Sequence, residues 1–391
     1  MEKVITTERK PIKLWLNDIE DGALEQAKNL ANLPFIYKHV AIMPDCHQGY
    51  GMPIGGVIAT DGVVIPNAVG VDIGCGMCAV KTSMTEISNY ELKRIMSYIR
   101  IKVPMGFKHH KEKQNIDFMP DVTLFDEQHI VHQQFESAQK QIGTLGGGDH
   151  FIEIQSGSDG YIWLMIHSGS RNLGLRVANH YNKIAIELNE KWYSSVPTNH
   201  QLAFLPLDVL DIEGYRYLDE MQYCVDFAFN NRKLMMDRVK ESVCDICGDD
   251  VEFNKIINIA HNYAIKENHF GKNVMVHRKG ATLARKRSMG IIPGSQGTSS
   301  FIVEGVGNKD SFESCSHGAG RKMGRKQAIK KLDLKEEKQR LDDLDIIHSI
   351  RHKKDLDEAP GAYKDINIVM KNQMDLVKVV TRLEPIAVLK G

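Results

Sequence analysis

The sequence predicts a chain of mixed helices and strands whose glycine-rich loops converge on one site. Three observations predict it. Apolar residues recur at helix spacing in several long segments, short apolar runs read as strands between them, and the 32 glycines are clustered, not spread.

Taken in order, Val63–Ile65 reads as a strand, 86–99 and 126–140 as helices, and Tyr161–Ile166 as a strand. Segments 174–191, 213–241 and 252–267 follow as helices, and Val274–Val276 as a strand. The glycine clusters are GYGMPIGG (Gly49–Gly56), GVDIGCG (Gly70–Gly76), GTLGGG (Gly143–Gly148), GSRNLG (Gly169–Gly174), GIIPGSQG (Gly290–Gly297) and GAGRKMG (Gly318–Gly324). The repeated order is strand, glycine loop, helix. Glycine lets backbone come close to a ligand, so six such loops from distant stretches imply one assembled site. Residues 241–250 and 333–358 are charged and are expected as surface loops or helices. At roughly 100–200 residues per domain, length alone favours more than one domain. No Pro/Ser-rich linker divides the chain, so residues 1–391 are expected as one domain.

Composition excludes several classes. With 42% hydrophobic and 26% charged residues the chain is an ordinary globular protein, neither disordered nor collagen-like. No apolar run reaches the ~18 residues that span a bilayer, and the charged start MEKVITTERK has no apolar signal core. Seven cysteines without a signal point to reduced thiols in a cytosol. The 50 basic and 50 acidic residues cancel, but residues 321–340 hold nine Lys/Arg against three acids. Such a stretch supplies phosphate contacts, or is simply a solvated helix face.

Metal chemistry is suggested by His47, His150, His167, His261 and His317, each beside a glycine cluster, and by Asp72 and Cys75 in VDIGCG. Imidazole, carboxylate and thiolate together suit Mn²⁺ or Zn²⁺. Two ions held this way would suit phosphoryl transfer. The Cys75–Cys78 and Cys244–Cys247 pairs are too far apart for a zinc ribbon, and Cys78 opens an apolar run that belongs in a core. No Gly-x-x-x-x-Gly-Lys-[Ser/Thr] loop, Lys-x-Asp-Gly ligase signature or His-Glu-x-x-His motif occurs. Three loops remain for phosphate: HSGSR (His167–Arg171), PGSQGTSS (Pro293–Ser300) and HGAGR (His317–Arg321). Each offers backbone N–H groups, and Arg171 and Arg321 add guanidinium forks. HGAGR precedes a basic helical segment and is expected to open a helix N-terminus. A histidine there can act as a nucleophile on phosphorus.

Taken together, MPDCHQGYGMPIGG, VGVDIGCGM, GTLGGGDHFIEIQ, HSGSRNLG, HRKGAT, IPGSQGTSS, SHGAGR, DEAPGAYKDI and the terminal IAVLKG resemble the RtcB family of RNA ligases, from about residue 40 to residue 391. The resemblance implies an α+β fold of mixed β-sheets flanked by helices. It implies joining of an RNA 3′-phosphate or 2′,3′-cyclic phosphate to a 5′-hydroxyl with GTP and two Mn²⁺ ions. It implies an RNA partner, no membrane, a monomer and a cytoplasmic setting. By motif, His317 matches the histidine that becomes guanylylated, and Asp45 the acid that helps the attacking hydroxyl. Cys75 matches the thiolate shared by two ions, with Asp72 and His261 completing one shell and His150 and His167 the other. Glu153, Ser295, Ser300, Tyr363 and Lys390 match the guanine pocket, and Gly318, Ala319 and Gly320 belong to the nucleotide loop. Arg171, Lys279, Arg321 and Arg325 match phosphate or RNA contacts.

One position departs from the pattern. Asp149 stands where the family carries Asn, and an ionised Asp accepts hydrogen bonds but cannot donate them. Stronger metal binding, weaker GTP binding and altered activity are all open consequences. Three other readings stand beside ligation. One is a guanylyltransferase that caps 3′-phosphates with weak joining, and another is an RNA-binding homologue without turnover. The third, a metal phosphoesterase, would not need Glu153, Tyr363 and Lys390.

Overall fold

The computed structural model describes residues 1–208 and 212–391. Four predicted helices are present, as Asn89–Lys102, Ile130–Gln141, Arg171–Lys191 and Glu213–Cys247. The first of these is started by a reciprocal cap. Ser88 Oγ accepts the Glu91 N–H at 3.2 Å, and the Glu91 carboxylate accepts the Ser88 N–H at 2.8 Å. Its buried residues Leu92, Ile95, Met96 and Ile99 follow the helical period. The predicted strands appear as Val63–Val64, Ile162–Ser168 and Lys272–Lys279.

The helix expected over 252–267 is not formed. Two strands, Ile257–Ala260 and Asn262–His269, replace it. The first pairs with Gly76–Lys81 and the second with Lys272–Lys279, so long-range ladders override a short local period. The order of strand, glycine loop and helix holds at His167–Gly174, where Ile162–Ser168 leads into Arg171–Lys191. It holds again at Gly318–Gly324, between the strand Ser314–Ser316 and the helix Arg325–Lys331. It fails at others: Gly290–Gly297 joins two paired strands, and Gly143–Gly148 runs from a helix to a strand. HGAGR also does not open a helix directly; the basic helix Arg325–Lys331 starts only after Gly324.

The strands form a mixed α+β architecture. A six-stranded sheet orders Lys3–Ile5, Ile12–Leu14, Ile36–His47, Ile54–Thr60, Lys272–Lys279 and Asn262–His269, with one parallel pair between the second and third. A seven-stranded antiparallel sheet orders Ile257–Ala260, Gly76–Lys81, Ile162–Ser168, Phe151–Gly157, Val377–Lys390, Ser300–Gly305 and Met289–Ile292. Its two edge strands approach each other, so this sheet nearly closes into a barrel. The long helix Glu213–Cys247 lies across it and buries Met235, Met236, Val239 and Val243 against the sheet's apolar side. All seven cysteines are free, and Cys78 is buried in that core. No helix among the described residues is long and apolar enough to cross a membrane.

Candidate active site

Four adjacent strands of the larger sheet present their ends at one edge. Ala260 pairs with Gly76, Gly76 with Ser168, and Phe151 with His167. Adjacent strands lie about 4.8 Å apart. This register sets Cys75, His150, His167 and His261 side by side although they are remote in sequence. Cys75 Sγ lies 3.2 Å from His167 Nε2 and 3.4 Å from His150 Nε2, and all three residues are buried. The Asp72 carboxylate reaches His150 Nε2 at 3.3 Å. The His261 ring stands 5.2 Å from that of His167 and 4.8 Å from that of His317, linking the cluster to His317.

The histidines are held so that one nitrogen faces inward. The Leu145 carbonyl lies 2.9 Å from His150 Nδ1 and the Asp149 carbonyl 3.2 Å from His167 Nδ1. Donation from Nδ1–H to these carbonyls frees both Nε2 atoms for a cation. Arg171 NH1 stands 3.1 Å from the same His150 Nδ1. Burial, then the charges of Asp72 and Asp149, push the Cys75 thiol well above its ordinary range. A cation at this point reverses that balance and favours the thiolate. His261 Nδ1 is buried without a hydrogen-bond partner among the described residues. A thiol, imidazoles and a carboxylate at these distances, with one imidazole nitrogen unspent, fit a first-row divalent ion.

His317 follows the short strand Ser314–Ser316 and meets Asp45, which lies near the end of Ile36–His47. His317 Nδ1 is 2.6 Å from Asp45 Oδ2. Burial pulls the His317 imidazole down, but the charge and hydrogen bond of Asp45 outweigh it and hold the ring above its ordinary value. Gly320 has φ of +74°, and a Cβ there would stand 2.0 Å from the Asp45 carbonyl oxygen, so only glycine lets the two chains pass this closely. His47, the fifth histidine singled out, contacts the Asp45 carbonyl at 3.1 Å and is not among the grouped metal-type side chains.

The remaining candidates surround this centre. Glu153 is buried, and its carboxylate accepts from Gln155 Nε2 at 2.8 Å; the same amide donates to Ser300 Oγ at 3.2 Å. Burial, opposed by Lys390, pushes Glu153 up to about 8. Ser295 Oγ lies 3.0 Å from Thr298 Oγ1. Lys390 donates to the Asp149 carbonyl at 3.0 Å. Asp149 is half-exposed and pairs with Arg325 at 3.1 Å. Burial pushes the Asp149 carboxyl up, but His167, His150, Arg325 and Lys390 outweigh it and hold it well below the usual carboxylate range. The Arg321 guanidinium stands 5.1 Å from the centre of the Tyr363 ring. Lys279 is buried, with its amine donating to the carbonyls of Tyr50 at 2.5 Å and Asn67 at 2.9 Å. Burial pushes that amine down to about 7. Its donors tie down the loop after Asp45 and are not turned toward solvent.

A family model described as tRNA-splicing ligase RtcB matches residues 26–123 and 113–391. This chain belongs to the RtcB family. An RNA-splicing ligase RtcB of Escherichia coli strain K12 is 38% identical, covering 100% of this chain and 99% of that relative. The tRNA-splicing ligases RtcB of Thermococcus kodakarensis and Nanoarchaeum equitans are each 31% identical, over 95% and 97% of this chain and 92% and 95% of their own lengths. The Cys75–His150–His167 cluster is consistent with the metal-binding centre of an RtcB ligase, and the chain is an enzyme of that ligase class.

Sequence reasoning passed over three residues that build this RtcB centre. Asn231 Oδ1 accepts the Gly143 N–H at 2.7 Å, and its Nδ2 donates to the Gly169 carbonyl at 3.1 Å. Arg232 NH1 donates to the carbonyls of Gly74 and Ser168, each at 2.9 Å. The long helix thereby fastens three glycine loops. The available signal was a polar pair, Asn231-Arg232, inside an otherwise buried helical stripe. The third is Glu358, in DEAPGAYKDI, which is buried among cations.

Proposed function

We propose that the chain is a GTP- and Mn²⁺-dependent RNA ligase joining RNA 3′-phosphate or 2′,3′-cyclic phosphate ends to 5′-hydroxyl ends. The observation that carries the reading is His317, bonded through Nδ1 to buried Asp45 and stacked edge-on against His261 beside the Cys75–His150–His167 cluster. A proton on Nδ1, held by Asp45, leaves the Nε2 lone pair as the nucleophile. Nε2 attacks the α-phosphorus of GTP, a P–N bond forms, and the bond to the departing pyrophosphate breaks. GMP then passes from His317 to the RNA 3′-phosphate, freed by water where it was cyclic. The 5′-hydroxyl attacks that activated phosphate, and GMP leaves.

Asp72, Cys75, His150, His167 and His261 are the residues that would hold Mn²⁺, which when bound offsets repulsion between phosphate groups. Glu153, Ser295, Ser300, Tyr363 and Lys390 would take the guanosine, with the loop Gly318–Ala319–Gly320 at its phosphates. Arg171, Arg321 and Arg325 would bind the RNA phosphates. Residues 1–391 act as one catalytic unit and a monomer in the cytosol, in RNA repair or tRNA splicing.

The test is incubation with α-labelled GTP and Mn²⁺, with and without an RNA 3′-phosphate, comparing the parent with His317→Ala. The expected result is an acid-labile protein label that moves to RNA and that His317→Ala abolishes. Absence of label with every divalent metal tried would overturn the reading. Asp149, an anion beside the cluster, favours capping as a second reading. Adding a 5′-hydroxyl RNA separates the two, because only a ligase consumes the capped end.

A further inference from the structure

We infer that Glu358 is a positioning residue of the nucleotide pocket, its carboxylate presetting Arg321, Arg325, Tyr363 and Lys390 for an incoming guanine nucleotide. The inference rests on the reading of this site as a GTP site.

Glu358 ends the short helical segment Lys353–Glu358 and is 3% exposed. Its Oε1 lies 2.8 Å from Arg325 Nε and 2.9 Å from Arg321 NH1. Its Oε2 accepts the Tyr363 hydroxyl and lies 3.9 Å from Lys390 Nζ. The backbone carbonyl of the same residue accepts from Gln296 Nε2 at 2.8 Å, which ties in the loop carrying Ser295. Three cations, a phenol and a loop from separate parts of the chain therefore meet at one buried residue.

The physical consequence concerns order before binding. Three cations converging on a small volume repel one another and, without an anion, would turn outward to water. A central carboxylate offsets that repulsion and gives each side chain one preferred geometry. Arg325 spends Nε on Glu358 and part of NH2 on Asp149, so its other N–H groups stay available for phosphate, whereas Arg321 also donates to the carbonyls of Met323 and Asp357 and is held more fully. Arg325 also bridges to Asp149, carrying the network to the residue beside His150. A cavity of about 160 Å³ opens against this network, lined by Gln296, Ser349, Asp357, Glu358 and Lys390 among others. Of the preset side chains Lys390 borders this open space, and Arg325 is half-exposed, so the network is not sealed inside a core. A pocket whose donors are already arranged loses less entropy on binding.

The experiment measures equilibrium binding of GTP in Mn²⁺ to the full chain, with Mn²⁺ affinity and thermal melting recorded on each protein. Glu358→Gln keeps the volume and removes the charge. It is expected to raise the GTP Kd about tenfold or more, the scale of charge-assisted hydrogen bonds. Its Mn²⁺ affinity is expected to change by less than about twofold, since direct metal ligands are untouched. A purely structural role would instead lower melting and Mn²⁺ affinity together and leave the GTP Kd of the folded fraction unmoved, which overturns the inference. Should Glu358→Gln not fold, Glu358→Asp decides. Its shorter carboxylate keeps the charge but cannot reach every partner, so the Kd rises at least about threefold. A Kd equal to the parent's overturns the inference. Parent protein that binds no GTP overturns the nucleotide reading itself, whereas parent binding with an unaffected Glu358→Gln overturns this inference alone.

Discussion

Asp45 Oδ2 lies 2.6 Å from His317 Nδ1, and the same oxygen accepts the backbone N–H of His317 at 3.0 Å and of Gly318 at 3.3 Å. Asp45 is fully buried, and its second oxygen has no partner among the described residues. One carboxylate oxygen thus sets both the ring of His317 and the backbone that carries it.

Asp45→Asn is the direct check on that relationship. Its amide matches the carboxylate in size but has a single acceptor oxygen and no charge, so the Nδ1 proton is held weakly. GMP-adduct formation on His317 is expected to fall about 10²-fold or more. GTP affinity should stay near that of the parent. Quenched-flow labelling gives the rate and equilibrium dialysis the affinity; an unchanged rate would remove Asp45 from the reaction.

Cys75 stands between His150 and His167, so losing its sulfur removes the centre of the cluster. Cys75→Ser is expected to weaken Mn²⁺ binding at least about tenfold, because even outer partners of a metal site carry effects of that size. Titration followed by Mn²⁺ electron paramagnetic resonance reads it. Parent-like affinity in the variant would mean that the ion sits elsewhere.

Asp149 pairs with Arg325, and in the proposed ligase it would compete with phosphate for that guanidinium. The pair is half-exposed, and such pairs contribute about 1 kcal/mol at most. Asp149→Asn frees the guanidinium and removes an anion from the phosphate path, so the GTP Kd is expected to fall up to about fivefold. An increase in Kd would show that the charge of Asp149 assists binding, through the metal or otherwise.

Acid stability follows from groups away from the centre. His277 is fully buried, and its Nε2 accepts the Ile65 N–H at 3.0 Å. Burial, weakly opposed by the Met275 carbonyl, pulls it from 6.5 to about 3. Burial likewise pulls His39 down to about 4. Because the folded values are lower, the unfolded chain takes up these protons first, and stability falls as pH drops from 6.5 toward 3. Burial pushes Glu267 up, but His269, Arg278 and Arg285 outweigh it and bring it from 4.5 down to about 2. Its contribution is present above 4.5 and is lost as pH falls toward 2. Melting temperature is expected to decline below pH 6.5 and more steeply below 4.5, with His277→Gln flattening the first part. A melting temperature independent of pH across this range would contradict the argument.

Much of the site was legible before any coordinates. Asp72, Cys75, His150, His167, His261 and His317 could be singled out because a ligand or nucleophile needs particular atoms, and glycine loops mark where backbone must come close. Helices such as Asn89–Lys102 were readable because one buried face imposes a local period and a cap marks its start. These properties are local, and the sequence by itself determined them.

Only the tertiary structure decided the rest, because pairing between distant segments is not a local property. Residues 252–267 carry a helix-like apolar spacing but become two strands, since each gains a ladder partner. Lys279 matches a phosphate or RNA contact by motif, yet its strand lies inside the smaller sheet and its amine donates to carbonyls of the chain itself. Glu358 is one acid among many in a charged stretch until Arg321, Arg325, Tyr363 and Lys390 fold around it. The chemistry of each side chain is carried by the sequence. Which charges meet, and which water they lose when they meet, is set by the register of the sheets.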